Sequence, residues 1–505
     1  MMKKILLILA LLLSSSHLYA QNYYVCDTGD DNNAGTSIAA PFKTFSRGLS
    51  AFNTMSGGDS VLFCKGGKFP APNRNTLFNQ KCSASSVCTL GAYGQGNKPE
   101  IFSTGQTAAL YFTDGGDPSP SKGYLIKELA LVSDSTTLFG IQFFNDVDDV
   151  TIENVHIEGF GIGVYSAGAN AVTSSDVNGT NDRLVLRDST IINNYGQGWL
   201  GGGVGVLIEN NIFENNGFEK AVFNHNIYLS GKEANPSSDI IVRGNTLYKS
   251  AFINGSCQGV SLVGHGLISN LLIEDNLIKE DVGTAGFGCW GIAIDTGYST
   301  EEEFRGLVIR NNTIENLGGL AIGCSSCVDV VVEGNTITDN GGTLREGVKI
   351  PNRGEDALKS ANISVLGNTI TLAGRTDAVC VRVQPSILTA ESNTCSTNGD
   401  VVVGEPVKHT PIPEPTPEPI PEPGHGTTTE PTHLPTPEPE PECVKSTTKA
   451  QLNGLLTQLD NLMLNKNNVV SAMNSVSNLY GKVDEVRNEI SVLKEVLDTS
   501  KPVCN

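Results

Sequence analysis

A short pattern of apolar and polar positions recurs along the chain between residues 128 and 395. In each copy, apolar residues alternate with polar ones, an asparagine follows, and apolar residues resume one or two positions later. The asparagine position recurs every 22 to 36 residues, and two degenerate copies carry a glutamate or a serine there. In chain order this position holds Glu128, Asn154, Ser189, Asn211, Asn245, Asn276, Asn312, Asn335, Asn368 and Asn393.

This pattern predicts short β-strands rather than helices, because strict alternation of apolar and polar residues is typical of half-buried strands. A period of this length built from strands is typical of a β-solenoid, in which each coil stacks on the previous one at about 4.8 Å. About a dozen coils make a rod roughly 50–60 Å long. We therefore predict an all-β parallel solenoid over residues 21–404. The asparagines receive a structural role, as turn residues that hydrogen-bond from coil to coil.

A second strand precedes each asparagine copy, and its copies also align. Their branched apolar residues are predicted to face the core, and the residues between them to face solvent. Small, aromatic and charged residues mixed along a rod predict a shallow groove that suits a long carbohydrate. The first outward row holds Gln142, Gly163, Tyr228, Ser261, Ala293 and Lys349, and the second holds Phe144, Tyr165, Ser230, Val263, Asp295, Pro351 and Arg382.

Residues 1–20 predict export. Lys3 and Lys4 precede the apolar run from Ile5 to Leu13, and a serine-rich stretch follows as far as Ala20. This arrangement is typical of a secretory signal peptide cleaved after Ala20, and the apolar run is about half as long as a membrane span. No later segment of the sequence is apolar enough to span a membrane. The mature protein is predicted to be secreted, to the cell exterior or surface or else to the periplasm.

The composition changes near residue 405. Residues 405–442 hold 13 of the 23 prolines, mixed with glutamate and threonine. Such a segment forms neither helix nor central strand, and it is predicted to be an extended polyproline II linker.

Residues 443–505 carry apolar residues at alternating spacings of three and four, from Val469 to Leu497, which is a heptad pattern. Two structures fit this small α-helical C-terminal module. One is a helical hairpin that turns near Asn467 and is closed by a Cys443–Cys504 disulfide. The other is a parallel coiled coil that makes the protein a homo-oligomer or attaches it to a cell-surface partner. Gly481 and the scarcity of flanking charges favour the hairpin slightly.

Charge limits the choice of partners. The chain has 34 basic and 54 acidic residues and a formal net charge of −20. A field of this sign disfavours nucleic acid and anionic lipid. It also weighs against a polyanionic substrate, unless the groove is locally basic or calcium bridges the charges.

Three N-terminal segments carry a family resemblance, together with the strand repeats. They are residues 23–36, residues 40–45 and residues 58–67, the last reading Gly-Asp-Ser-Val-Leu-Phe-Cys-Lys-Gly-Gly. With them, residues 22–404 resemble the right-handed parallel β-helix superfamily, the pectate-lyase-like fold. The resemblance implies the fold and not the reaction, because this superfamily holds polysaccharide lyases, hydrolases, uronate epimerases and non-enzymatic proteins.

The twelve cysteines of an exported chain are expected to pair. Cys257 and Cys289 occupy the same position in consecutive coils, so stacking puts their Cα atoms about 5 Å apart, within reach of a disulfide. Cys26 and Cys64 end two early strands and are paired by the same reasoning. A zinc or redox motif at Cys324-Ser-Ser-Cys327 is disfavoured, because the second half of a zinc set is missing. The other predicted pairs are Cys82–Cys88, Cys324–Cys327, Cys380–Cys395 and Cys443–Cys504.

His225 and Tyr228 are candidate catalytic residues at the start of a groove strand. A neutral histidine can take a proton and a tyrosine can return one. Removal of a proton beside a uronate carboxylate also needs a cation, for which Lys349, Arg353 and Arg382 are candidates. Lyases and epimerases of the resembling superfamily use such groups. The alternative interpretation is that His225 and Tyr228 are ordinary turn and surface residues.

Tyr165, Trp290 and Asp295 are candidates for substrate binding, beside Arg353. Tyrosine and tryptophan offer ring faces on which sugars stack, although Trp290 fits a packing role equally well. Asp295 and the acidic run at 301–303 suggest calcium, which members of the resembling superfamily bind, or simply a solvated loop.

Gly264-His265-Gly266 resembles a short motif of the polygalacturonase-type hydrolases. Those enzymes also need paired aspartates in earlier coils and an Arg-x-Lys strand later. Neither stands at a matching place in this sequence, so we interpret the match as chance.

Two functional hypotheses follow. In the first, the protein binds an acidic polysaccharide and modifies it by β-elimination or epimerisation. In the second, it is a non-catalytic glycan-binding, adhesion or structural protein, attached or oligomerised through its C-terminal helices. An enzyme needs His225, Tyr228 and a cation to meet at one site, whereas an adhesin needs only the groove.

Overall fold

The computed structural model describes residues 20–397, apart from 72–74, 115–120, 145, 167–178, 233–234, 297–301, 352, 354–355, 374 and 385–386. The predicted signal peptide up to residue 19, the linker at 405–442 and the helical module at 443–505 lie outside the described residues. What is described is an all-β solenoid in which the strands of successive coils pair in parallel.

Each coil visits three faces in the same order, which we call the first, second and third faces. Strand Leu262–Glu274 bends around a corner and belongs to both the third and the first face. First-face strands are Asn22–Val25, Ser60–Cys64, Cys88–Tyr93, Ser121–Lys127, Asp148–Glu153, Val185–Arg187, Leu207–Glu209, Ser237–Ser238, Ile241–Arg243, Leu262–Glu274, Glu303–Arg310, Cys327–Glu333, Ala361–Leu366 and Ile387–Glu391.

Second-face strands are Lys68–Pro70, Glu100–Ser103, Ala130–Ser133, His156–Glu158, Thr190–Ile192, Ile212–Glu214, Thr246–Tyr248, Leu277–Lys279, Thr313–Glu315, Thr336–Asp339, Thr369–Leu372 and Thr394–Thr397. Third-face strands are Thr76–Leu77, Ala108–Thr113, Phe139–Phe144, Ile162–Ser166, Gln197–Gly201, Ile227–Gly231, Leu262–Glu274, Ile292–Ile294, Gly319–Cys324, Leu344–Ile350 and Val379–Val383. A short antiparallel ribbon, Phe252–Ile253 with Ser256–Cys257, projects between two coils.

The core runs along the axis as stacked apolar rows, because alternate residues of each strand point inward. On the third face one such row passes from Trp199 through Ile227, Leu262 and Ile292 to Ile322, each residue paired with the next. All five side chains are buried. Repetition of one apolar position per coil is therefore what closes the solenoid around a dry interior.

A short α-helix, Phe45–Phe52, packs at the first coils. Thr44 is its N-cap residue, and its side-chain hydroxyl accepts a hydrogen bond from the Arg47 amide at 3.1 Å. Phe45 stacks on Phe63 of the first face, with ring centroids 5.5 Å apart. Within the described part of the chain, no helix has the length and apolarity needed to cross a membrane.

An asparagine column stands at the corner between the first and second faces. Its members are Asn211, Asn245, Asn276, Asn312, Asn335, Asn368 and Asn393. At a typical step, Asn245 Oδ1 accepts from both the backbone N–H and the side-chain amide of Asn211, at 2.9 and 3.0 Å. The predicted coil-to-coil hydrogen bonding of the asparagines is present at these positions.

The asparagine column differs from the prediction at its early end. Val155 occupies the column, and its amide donates to the Ser189 hydroxyl at 3.1 Å. Asn154 lies one residue earlier with φ +51°, and Glu128 likewise has φ +57°. Both are therefore left-handed turn residues, a conformation that asparagine tolerates better than most residues.

Four disulfides are present: Cys26–Cys64, Cys82–Cys88, Cys257–Cys289 and Cys380–Cys395. These are pairs inferred from the sequence. Cys324 and Cys327 correct that inference, because both carry free, buried thiols. A turn from the third to the first face lies between them. Their side chains are hydrogen-bonded, and Cys327 Sγ also lies 3.6 Å from the Ser360 hydroxyl, but no disulfide joins them. Cys443 and Cys504 lie outside the described residues.

Candidate active-site groove

One outward row of the third face carries four of the predicted site residues. It runs Tyr165, Leu200, Tyr228, Val263, Ala293, Gly323, Lys349 and Arg382, each paired with the next. The sequence placed Tyr165 and Arg382 in the neighbouring row, which is corrected here. Apolar alternation alone does not set the register of short glycine-rich strands, because a slip of two residues keeps every side chain on its face and moves it into the neighbouring row.

His225 is 3 % exposed, so it lies beneath the groove surface rather than in it. Its Nδ1 lies 3.2 Å from the Val260 carbonyl oxygen, and its backbone N–H donates to Gln197 Oε1 at 2.8 Å. Burial, reinforced by the neighbouring charge of His265, lowers the pKa of His225 to about 3. His225 is therefore neutral over the physiological range. Because a carbonyl oxygen only accepts, Nδ1 carries the proton.

Tyr228 lies between two imidazole rings. Its ring centroid is 5.8 Å from that of His225 and 5.3 Å from that of His265. His265 is one coil further on and pairs in register with Ser230, at the end of the Tyr228 strand. His265 Nδ1 lies 3.1 Å from Glu302 Oε2. The match at Gly264-His265-Gly266, which we interpreted as chance, therefore contains a residue of the groove. The signal that could have identified it is its place one coil beyond Tyr228.

Asp295 and Arg353 form the next contact along the groove. Asp295 directly follows Ile294, which pairs with the residue before His265. The Arg353 guanidinium donates to Asp295 Oδ2 at 3.1 Å and to the Thr296 carbonyl at 3.2 Å. Burial raises the pKa of Asp295, and the charge of Arg353 opposes that rise. These two predicted binding residues are thus brought together beside His265.

A cleft of about 430 Å³ opens further along the same face. Its lining holds four basic and two acidic residues: Arg345, Lys349, Arg353 and Arg382, with Glu346 and Asp377. Glu346 contacts both Lys349 and Arg382, each at 2.7 Å. Asp377 contacts Arg345 at 3.3 Å and Arg375 at 2.8 Å. Each carboxylate is shared by two cations, so the cleft keeps an excess of positive charge.

Phe287 and Trp290 form the aromatic wall of the cleft. Phe287 is 62 % exposed, and the Arg345 guanidinium lies 5.5 Å from its ring centroid. The Trp290 indole N–H donates to the Phe287 carbonyl at 2.9 Å, which fixes the ring. Trp290 and Tyr228 both pack on an outward apolar cluster of Val260, Val263 and Ala293. An apolar floor therefore joins the Tyr228 end of the groove to the cleft.

The structure separates the predicted catalytic residues into two places. Tyr228 and Lys349 are four strand spacings apart along their row, or about 19 Å. One sugar ring cannot touch both, so the expected convergence of His225 and Tyr228 with Lys349 and Arg382 is not found. Of the predicted cations, Arg353 is the one tied to the His265 row, through Asp295.

The calcium ligands considered from the sequence do not gather at one point. Asp295 pairs with Arg353, Glu302 with His265, and Glu303 with Arg305 at 3.1 Å. Residue 301 lies outside the described residues. Tyr165 stands apart as well: it lies two coils before Tyr228 and stacks on Phe139 with a centroid distance of 4.7 Å.

Comparison with known proteins supports the fold. The family model described as right handed beta helix region matches residues 139–370. The GH136 lacto-N-biosidase from Eubacterium ramulus is similar over 74% of this chain and 68% of its own, with 15% identity and a TM-score of 0.55. The Azotobacter vinelandii mannuronan C-5 epimerase AlgE4 A-module matches with 16% identity, 75% and 100% coverage and a TM-score of 0.47.

The alginate lyase from Paenibacillus sp. str. FPU-7 matches with 17% identity, over 68% of this chain and 97% of its own, at a TM-score of 0.40. No curated protein matches the chain. At 15% identity, the likeness to the lacto-N-biosidase concerns the fold alone. With its parallel three-faced coils and its match to the family model over residues 139–370, the chain has the fold of a right-handed parallel β-helix.

Proposed function

We propose that the third-face groove binds an acidic polysaccharide and modifies it by β-elimination or epimerisation at a uronate ring. The observation that carries this proposal is the cleft, where four basic side chains face two acidic ones beside an exposed phenylalanine and a fixed tryptophan. This cleft lies on a protein whose net charge is −20. It is therefore the locally basic surface that an acidic substrate requires.

Carboxylate recognition explains the basic residues of the cleft. Arginine binds carboxylates with two parallel hydrogen bonds, and lysine binds them as a point charge. Lys349 and Arg382 are 37 % and 49 % exposed, so both can exchange their shared contact with Glu346 for a ligand carboxylate. Phe287 and Trp290 supply apolar ring faces against which sugar rings can pack.

We assign the reaction to Tyr228, which lies about four coils away from Lys349. An imidazole beside Tyr228 takes the proton on the ring carbon next to the carboxylate, and Arg353 is the nearby cation that favours the resulting negative charge. In elimination, that electron pair forms a carbon–carbon double bond while the glycosidic oxygen leaves and takes the Tyr228 proton. In epimerisation, Tyr228 returns its proton to the opposite side of the same carbon.

The predicted export of the protein agrees with such a substrate, because polysaccharides of this kind lie outside the cytoplasm. Four disulfides cross-link the described part of the chain, and disulfides are typical of proteins in oxidising compartments. The signal peptide at residues 1–20 remains a sequence prediction, as does attachment or oligomerisation through residues 443–505.

The experiment uses the mature chain, residues 21–505, with polygalacturonate, alginate and hyaluronan as probes, each with and without calcium. Unsaturated uronide products are followed by ultraviolet absorbance. Deuterium uptake at the sugar ring carbon in heavy water reports epimerisation, in which that carbon receives a proton exchanged with solvent, whereas elimination leaves it without hydrogen. We expect turnover of at least one probe and a loss of at least about 100-fold in Tyr228→Phe. Tyr93→Phe, on the first face, is the matched control and keeps full activity.

A second outcome defines the alternative function. Binding of a probe without absorbance or deuterium uptake would contradict catalysis and favour the glycan-binding or adhesion protein, which needs only the cleft. Absence of binding to every acidic probe, together with binding to a neutral glycan, would contradict the acidic substrate class itself.

A further inference from the structure

The proposed function leaves open which imidazole beside Tyr228 is the base. His225 and His265 lie at similar distances from the Tyr228 ring, 5.8 and 5.3 Å between centroids. They differ in their surroundings. His225 is 3 % exposed and its Nδ1 faces the Val260 carbonyl, whereas the His265 side chain is 12 % exposed and faces a carboxylate. Of the two imidazoles, His265 is the more accessible from the groove.

Glu302 is the partner that distinguishes His265. It is a carboxylate with 4 % side-chain exposure, and its Oε2 lies 3.1 Å from His265 Nδ1. A carboxylate only accepts hydrogen bonds, so the contact places the imidazole proton on Nδ1 and leaves Nε2 as the basic nitrogen. A buried anion beside an imidazole also stabilises the imidazolium that forms when Nε2 takes a proton.

The pair is held by the backbone of both partners. Glu302 directly precedes strand Glu303–Arg310, which pairs in register with strand Leu262–Glu274, the strand that contains His265. The Glu302 carbonyl oxygen accepts a hydrogen bond from the Ser326 hydroxyl at 2.7 Å. The adjacent Phe304 amide donates to the Ser326 carbonyl at 3.0 Å. Glu302 is therefore anchored to two neighbouring coils, and its side chain needs no ligand to take this position.

We propose that His265 is the catalytic base of the groove and that Glu302 is the positioning residue that orients it. This inference rests on the proposed function and replaces His225 in the role that the sequence suggested. Nε2 of His265 takes the proton from the carbon beside the carboxylate, and the electron pair left on that carbon forms the double bond of elimination or accepts the Tyr228 proton in epimerisation. The step needs no oxidant or further reactant.

Other titratable groups around His265 favour the same assignment. Asp295 interacts electrostatically with it from the next coil, His225 from the coil before, and Tyr228 faces it across the groove. Two of these neighbours, Asp295 and Glu302, are carboxyl groups, and they favour the protonated ring that the reaction produces. His225 opposes it only when it is charged, and burial keeps His225 neutral.

The test combines kinetics with a direct view of the ring in the mature chain. Nitrogen-15 NMR of histidine-labelled protein reports which ring nitrogen carries the proton, and His265→Gln identifies the signal. We expect the Nδ1-protonated tautomer in the wild type without any substrate. With the polysaccharide that is turned over, we expect Glu302→Gln to lower kcat about tenfold, with little change in KM.

Two variants complete the test. Glu302→Asp keeps the charge at a shorter reach and is expected to recover part of the activity. Glu303→Gln removes the same charge one residue later, from an exposed pair with Arg305, and is expected to change neither kcat nor the His265 signal. An Nε2-protonated tautomer in the wild type, or an unchanged kcat in His265→Gln, would overturn the assignment even if uronate turnover is established. Failure of turnover on all probes would overturn the proposed reaction and this catalytic role together, whatever the tautomer.

Discussion

Two surfaces of the solenoid carry the same types of charged residue but arrange them differently. On the first face, a charge ladder alternates sign coil by coil through Lys127, Glu153, Arg187, Glu209, Arg243, Glu274, Arg310 and Glu333. Arg243 bonds Glu209 and Arg310 bonds Glu274, each at 2.7 Å. On the third face, the cleft places four cations around two carboxylates.

The difference between the two surfaces is one of balance. Each interior cation of the charge ladder lies between two anions, so the row is neutral within a few coils and a slip in register would separate the opposite charges. In the cleft, each carboxylate contacts two cations. The positive charge that remains is available to an anionic ligand. The same types of charged residue thus balance one another on the first face and leave an excess of positive charge on the third face, the surface proposed to bind the substrate.

The largest effect is expected from neutralising the cleft. Lys349→Gln combined with Arg382→Gln leaves Glu346 without its two cations and removes the excess of positive charge from the cleft. We expect affinity for the acidic polysaccharide to fall at least tenfold, equivalent to about 1.4 kcal/mol, as measured by titration calorimetry. Thermal stability should hardly change, because both side chains are well exposed.

The matched variant for this experiment is Arg243→Gln in the charge ladder, which removes one cation from an equally exposed position. It should leave binding unaltered. If it weakened binding as much as the cleft variant does, the effect would reflect the total charge of the protein, and the distinction between the two surfaces would be lost.

A smaller effect, on stability instead of binding, is expected from reversing one charge of the ladder. Arg243→Glu sets three carboxylates side by side with Glu209 and Glu274. We expect the free energy of unfolding in urea to fall by about 1 kcal/mol, less in high salt, because exposed pairs are weak and screened. The affinity for the polysaccharide should stay unchanged. If Arg243→Glu lowered this affinity more than the cleft variant does, the distinction between the two surfaces would be contradicted.

The smallest effect concerns a buried carboxyl group, that of Glu280, which belongs to neither surface. Glu280 is buried, and burial raises its pKa from the ordinary 4.5 to about 8. The folded state thus holds the proton more tightly than the unfolded state, so the stabilisation is present below the unfolded pKa and is lost as the pH rises through about 8. We expect the melting temperature to decline between about pH 5 and pH 9, and Glu280→Gln to flatten that decline.

Glu315→Gln, on the second face, is the control for this pH series and should keep the wild-type slope. A Glu280→Gln protein with an unchanged slope would assign the decline to other buried carboxyl groups, such as Asp148, whose pKa is also raised by burial, to about 7.

Much of the fold follows from repetition in the sequence. Asn211 and the later asparagines mark one corner of each coil, and the shared position of Cys257 and Cys289 gives a disulfide without further information. Prediction from the repeat fails where the same residue type occupies two different positions of the coil. Asn154 fits the repeat as well as its neighbours do, yet it takes the left-handed turn position beside the column, and only the three-dimensional register distinguishes the two roles.

The site is less predictable, because exposure depends on the next coil. His225 and Tyr228 lie close together as expected, but Val260 from the following coil covers the histidine. The partner of His265 is Glu302, 37 residues later, and only stacking of coils brings the two together. The sequence identified Lys349, Arg353 and Arg382 as candidates, which are part of the basic cleft. It missed Phe287, which reaches the cleft from a turn whose direction the sequence does not encode, and Arg345, at the start of strand Leu344–Ile350.

The asparagine column has a consequence for how such a protein can change over evolutionary time. Its consecutive members lie between 23 and 36 residues apart, yet each backbone hydrogen bond between them measures 2.9 or 3.0 Å. Turns absorb the variation in length, among them the long turn that carries Phe287 and Trp290 between strands Leu277–Lys279 and Ile292–Ile294. Insertions or deletions in such turns leave the phase of every later coil intact. The scaffold can therefore stay the same during evolution, while changes in the sequence and length of single loops alter the walls of its groove to fit a different glycan.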